Sequence, residues 1–225
     1  MRAFLQLLAA NLKLEFRVKE TAVLMLTLAI MLSVVVSLGL GSALFDSKTR
    51  FLLFPALIWV VFLFSATVSI GRSFEYEIHN AALDGVILSG TSPVAIYLSK
   101  ATFNLLVMLV SHVCAFFCLC AFLNVDLFQV LPEFLIVSLL VLLGYSALAT
   151  LLSAISISSK LHQILLPLLL LPLIFPLFFC AIELTFQLTL NRQLDFSSVW
   201  FSLLVGIDVV YLALGINLFE YAIKE

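Results

Sequence analysis

The chain has 225 residues, 64% of them hydrophobic and only 11% charged, with a formal net charge of −2. Soluble domains hold about 45–50% apolar residues, so this composition excludes one. The apolar runs are long enough to cross a bilayer and lack the alternation of outer-membrane strands, which leaves an all-α integral membrane protein. A near-neutral balance with no basic run gives no reason to expect a nucleic-acid partner.

The first 21 residues form a segment of their own. Phe4, Leu5, Leu8, Leu12 and Phe16 recur at helical spacing, with Lys13, Glu15 and Arg17 among the polar positions. The spacing predicts an amphipathic helix on the membrane surface. A cleaved signal peptide is the weaker reading, because the charges interrupt the apolar run and the span that follows is too long.

Six spans follow, at about 22–44, 51–71, 94–123, 131–157, 164–190 and 199–219, in a single transmembrane domain covering residues 1–225. The connections at 46–50, 124–129 and 191–198 are short and polar. With the N-terminus in the cytoplasm, Arg2, Lys13, Arg17, Lys19, Arg72, Lys100, Lys160 and Lys224 lie inside. Lys48, Arg50 and Arg192 then lie outside, a bias that places both termini in the cytoplasm.

Between spans two and three the chain is polar from Arg72 to Lys100, with Glu75, Glu77, His79 and Asp84 inside that stretch. Phe74, Ile78 and Ala81 or Ala82 recur on one side, so 72–82 reads as a helix continuing from span two, and Asp84-Gly85 is a turn signal. A hairpin between spans needs far fewer residues. The cytoplasmic segment 72–93 is therefore expected to carry a helix parallel to the membrane that docks a soluble partner, with acidic residues facing the cytoplasm. A plain solvated loop is the competing reading.

Several residues inside the spans are candidates for function. His112, Glu183 and Asp208 are ionisable at membrane depth, where such groups are costly. His112 is chemically suited to ligate haem iron or to hydrogen-bond a neighbouring helix. Asp208 reads as helix-packing glue before a proton relay, and Glu183 as a group reaching the outer interface. Cys114 and Cys118 share a helix face but have no C-x-x-C spacing, so small apolar packing is preferred to a metal site. Gly144, Ser146, Ala147, Ala149, Ser153 and Ala154 in span four permit close helix approach. Pro167, Pro172 and Pro176 each remove a backbone donor from span five, which suits either a transport hinge or a static irregular helix. No nucleophile–base pair, phosphate loop or metalloprotease motif is present, so the chain is not expected to be an enzyme.

The polar segment reads Glu77, Asn80-Ala81, Leu83-Asp84, Ile87-Leu88, Pro93 and Lys100. That succession resembles the coupling helix of ABC-2-type exporter permeases, which have six spans and a cytoplasmic N-terminal helix. Ala81 departs from the glycine found in many of them. Together with FPALIWVVFLFSATVSIGRSFEYE, which holds Trp59, and the proline-rich LLLPLIFPLFF, the chain is similar over almost its whole length to the haem exporter protein B (CcmB) family.

The resemblance implies a permease in the bacterial cytoplasmic (inner) membrane, paired with a second copy of itself, with a separate ATPase subunit and with a haem-handling membrane subunit. It implies delivery of haem to a periplasmic haem chaperone during cytochrome c maturation. On that reading ATP is bound by the partner, haem is cargo or is held by a partner, and nothing is bound covalently here. Arg72, Phe74, Glu75, Glu77, Leu83 and Asp84 would then be the ATPase-coupling residues. Two other classes stand beside it: an ABC-2 permease for a lipid, glycan or drug, and a non-transporting scaffold for a haem-handling complex. A membrane enzyme would require His112, Glu183 and Asp208 to converge.

Overall fold

A computed structural model describes residues 2–40, 46–79, 91–156 and 162–222, with the backbone alone at 2, 18, 20, 40, 47, 69, 71–79 and 162–165. These residues form seven α-helices and no strand. They are α1 (Arg2–Val18), α2 (Glu20–Leu40), α3 (Ser47–His79), α4 (Pro93–Leu123), α5 (Leu131–Ser156), α6 (His162–Asn191) and α7 (Val199–Ala222). Helices α2 to α7 each contain a stretch long and apolar enough to cross a membrane.

The amphipathic segment is α1, and a single residue ends it. Lys19 adopts φ 56°, in the left-handed region, and its N–H reaches the Glu15 carbonyl at 2.6 Å. The Glu15 carboxylate then accepts the N–H of Ala22 at 2.6 Å, satisfying an otherwise open donor in the first turn of α2. The predicted stripe is divided: Leu12 is half-buried, Leu5 and Phe16 are exposed, and Leu7 packs toward Ile96 and Tyr97 of α4.

Helix α2 is apolar all round, so its packing face is set by contact and not by amphipathicity. Met25, Ala29, Ser33 and Ser37 form that face at four-residue intervals, against α3 and α4. Helix α3 starts at Asp46, whose carboxylate accepts the Thr49 N–H at 2.9 Å. Hydrogen bonding from the Thr49 side chain and from this N–H favours the charged form and holds the Asp46 carboxyl below its ordinary range. Helix α4 begins at an N-cap serine, Ser92, followed by Pro93 at its first position, and ends where Asn124 takes φ 53°.

The axis of the bundle is α5. Over an apolar 18-residue stretch of the fourth span 72% of residues are buried, against 22% in the first and sixth, because α5 packs on α4, α6 and α7 together. Gly144, Ser146, Ala147, Ala149, Ser153 and Ala154 are all buried there, so the small side chains bring neighbouring helices close. Tyr97 of α4 is wedged in the same way: its hydroxyl donates to the Ala147 carbonyl at 3.1 Å, and its ring occupies the space a Cβ on Gly215 of α7 would fill.

The three short connections meet at one end of the bundle. Arg50 donates to the Leu123 carbonyl at 3.2 Å and Arg192 to the Asp126 carbonyl at 3.1 Å. The Arg192 guanidinium also lies 5.3 Å from the Phe51 ring centre. All three cations assigned to the outside by the charge count, Lys48 among them, therefore belong to the same end.

Candidate functional site

The most densely organised part of the membrane interior is an aromatic cluster that joins four helices. Trp59 and Phe62 come from α3, His112 and Phe116 from α4, Phe134 and Tyr145 from α5, and Phe178 from α6. Trp59 and Phe62 are three residues apart, His112 and Phe116 four, and Phe134 and Tyr145 eleven, about three turns, so each pair lies on one face of its helix.

His112 is at the centre. Its ring stacks on Trp59 at 4.7 Å between centroids and on Phe134 at 5.4 Å, with the edge of Phe62 at 5.2 Å. It is 1% exposed, and neither ring nitrogen has a hydrogen-bond partner. Of its two readings from sequence, the hydrogen bond to a neighbouring helix is not made; ring contacts hold His112 in place. Both nitrogens are buried, and neither is exposed to an incoming group.

Trp59 fixes the cluster to α6. Its indole N–H donates to Thr185 Oγ1 at 2.9 Å, and that hydroxyl donates in turn to the Ala181 carbonyl at 2.7 Å. The Trp59 ring meets Phe62, Phe134 and Phe178 besides His112. Tyr145 closes the other side, with its hydroxyl 3.0 Å from that of Thr67 on α3.

Asp208 lies on α7 and is 3% exposed, with both carboxylate oxygens unpartnered. It packs over Gly144 of α5, where a Cβ would overlap Asp208 Oδ1 and lie 3.0 Å from Leu177 Cδ1. Helix-packing glue requires a hydrogen bond to a neighbour, and this carboxylate makes none. One turn on, Tyr211 donates to the Leu173 carbonyl of α6, which ties α7 to the turn that Pro176 interrupts.

Glu183 is half-buried on α6. No hydrogen bond joins any two of His112, Glu183 and Asp208, and among the described residues no three His, Cys, Asp or Glu side chains are grouped to hold a metal. His112, Glu183 and Asp208 are therefore not gathered into one group among the described residues. Pro167, Pro172 and Pro176 lie within one continuous helix, Pro167 half-buried and the other two on its exposed face.

The proposed coupling residues are described only in part. Arg72, Phe74, Glu75 and Glu77 belong to α3, which runs unbroken from Ser47 to His79. At 1.5 Å per residue this 33-residue helix is about 50 Å long, against about 30 Å for a hydrocarbon core. The helical continuation of span two is therefore present as far as His79. Leu83 and Asp84 lie outside the described residues.

The family model described as CcmB protein matches residues 2–224. The chain belongs to the CcmB family. Comparison with curated proteins finds no relative. Membership makes this a multi-pass permease component of an ABC-type haem export complex, a place consistent with six spans and with a chain too apolar to carry an ATPase domain. Within this CcmB-family chain the aromatic cluster was not visible as a site from sequence. Trp59 stood out only as part of a run shared with the family, and Phe134, Tyr145, Phe178 and Thr185 gave no signal in uniformly apolar spans.

Proposed function

We propose that this CcmB-family chain is the permease through which a separate ATPase subunit drives haem delivery to a periplasmic haem chaperone for cytochrome c maturation. It works as a pair of identical copies in the bacterial inner membrane, with both termini in the cytoplasm and a haem-handling membrane subunit alongside. ATP is bound and hydrolysed by the partner, and haem is cargo or is held by a partner.

The observation that carries this reading is the continuity of α3. From Glu77 to Trp59 is 18 residues of helix, about 27 Å, with no break in which a push would be absorbed. Force applied at Glu75, Glu77 and Asp84, with Phe74 as a packing anchor and Arg72 and Leu83 beside them, would reach Trp59 and Phe62 directly. Those two side chains are the ones wedged among α4, α5 and α6. Closure of the ATPase dimer would thus be converted into a shift of the aromatic cluster, with Pro167, Pro172 and Pro176 allowing α6 to follow.

The test is charge reversal at the contact. The double variant Glu77→Lys and Asp84→Lys is expected to lose at least about tenfold of the ATPase that co-purifies in mild detergent, since like charges set face to face cost several kcal/mol. Cytochrome c maturation should fall with it while the permease itself still accumulates in the membrane. Full ATPase recovery with normal maturation would show that the segment is not the coupling site.

A further inference from the structure

At the elbow between α1 and α2 an apolar groove of about 350 Å³ opens against α4. We propose that it holds one acyl chain of an anionic phospholipid, with the headgroup phosphate on Lys19.

The lining has the polarity of a lipid. Phe16 of α1, Ala22 and Leu26 of α2, and Phe103, Val107 and Val110 of α4 form its walls, and the polar members Glu15 and Lys19 both lie at the elbow. Glu15 is already engaged, because its carboxylate accepts the Ala22 N–H and sits at the positive end of α2. Lys19 is exposed, and the left-handed turn at this residue places it where the two helices part. Lys13 and Arg17, four residues apart on α1 and both exposed, add positive charge beside it.

The dimensions also fit. Phe103 to Val110 spans about 10 Å along α4, against about 15 Å for one leaflet of hydrocarbon. A single chain entering at the elbow would run along α2 and α4 with its charged end at Lys19. A neutral lipid would fill the same walls but leave the lysine without a counter-charge. A second copy of this chain, whose exposed Glu220 ends an apolar stretch of α7 with Leu214 and Leu218, is the other occupant, and the cysteine variant below distinguishes it. The inference is independent of the cargo.

The experiment uses full-length protein in nanodiscs of equal parts palmitoyl-oleoyl phosphatidylglycerol and phosphatidylcholine, with retained lipid weighed by native mass spectrometry. The wild type is expected to keep a phosphatidylglycerol adduct. Lys19→Glu should lower the phosphatidylglycerol-to-phosphatidylcholine ratio by at least about fivefold, the effect of one lysine near an anionic surface. Val107→Trp should reduce retention of both lipids, and Val107→Phe serves if the larger ring prevents folding. No retained lipid, an unchanged ratio in Lys19→Glu, or a disulfide between two copies carrying Val107→Cys would overturn the proposal. None of these readouts needs the ATPase or haem, so a failed coupling test and a failed lipid test remain distinguishable.

Discussion

Trp59→Ala is expected to destabilise the folded permease by about 3–5 kcal/mol, the range for removing a large buried aromatic side chain. Trp59 is fully buried, contacts four rings and reaches three other helices, so little can collapse into the space it leaves. Two contributions are lost together, and their sizes differ. The indole hydrogen bond to Thr185 is worth about 0.6 kcal/mol, since helices unpacked in lipid still find polar partners. Packing supplies the rest, because association within a bilayer depends on van der Waals contact and not on burial from water. Trp59→Phe keeps a ring and loses the N–H, so it should cost far less than the alanine variant. Thr185→Val should match the hydrogen-bond part alone. Unfolding of the purified protein in mixed micelles with increasing sodium dodecyl sulfate measures all three. Equal losses in the alanine and phenylalanine variants would mean that the hydrogen bond, and not the packing, holds the cluster.

Much of the frame was legible from the amino-acid sequence, for a physical reason. Hydrocarbon demands helices of a fixed minimum length, so apolar runs and the charges between them determine spans and order. Arg50 and Arg192 illustrate this, since the end of the bundle to which the charge count assigns them is the end where they meet the Leu123 and Asp126 carbonyls. The interior was a different matter. In a soluble helix the buried face is announced by apolar periodicity, but in α2 and α5 every face is apolar and the signal disappears.

Small residues partly replace that lost signal. The run around Gly144 marked α5 as a site of close approach, and α5 is the most enclosed helix. Gly215 gave no such warning, because a lone glycine in an apolar span does not say which side chain it admits. Tyr97, 118 positions away in sequence, is the residue that needs the space. Membrane depth was legible for His112 and Asp208, whereas their surroundings were not. Haem ligation or a hydrogen bond was open for His112 and helix-packing glue was preferred for Asp208, and the fold leaves His112 among rings and Asp208 over a glycine.

Gly144 and Asp208 are expected to be energetically coupled by about 1–3 kcal/mol, which a double-mutant cycle measures directly. Gly144→Ala alone puts a methyl group where Asp208 Oδ1 sits, with Leu177 Cδ1 3.0 Å away, and a packed interior resists such insertion by about 1–3 kcal/mol. Asp208→Ala alone removes two buried oxygens that have no partner, which relieves about 1–3 kcal/mol of unmet desolvation. It also leaves a small void, so its net effect on stability should be near neutral or favourable. In the double variant the overlap with the carboxylate is gone, and the new methyl partly fills the void left by the old side chain. The pair should therefore be more stable than the sum of the single changes. Strictly additive costs in the same micellar titration would show that Asp208 does not occupy the space over Gly144. A functional readout separates a further possibility: if Asp208→Ala folds at least as well as the wild type yet cytochrome c maturation falls, the carboxylate is kept for a step of the transport cycle. Unimpaired maturation would make Asp208 a packing residue that α7 tolerates at a cost.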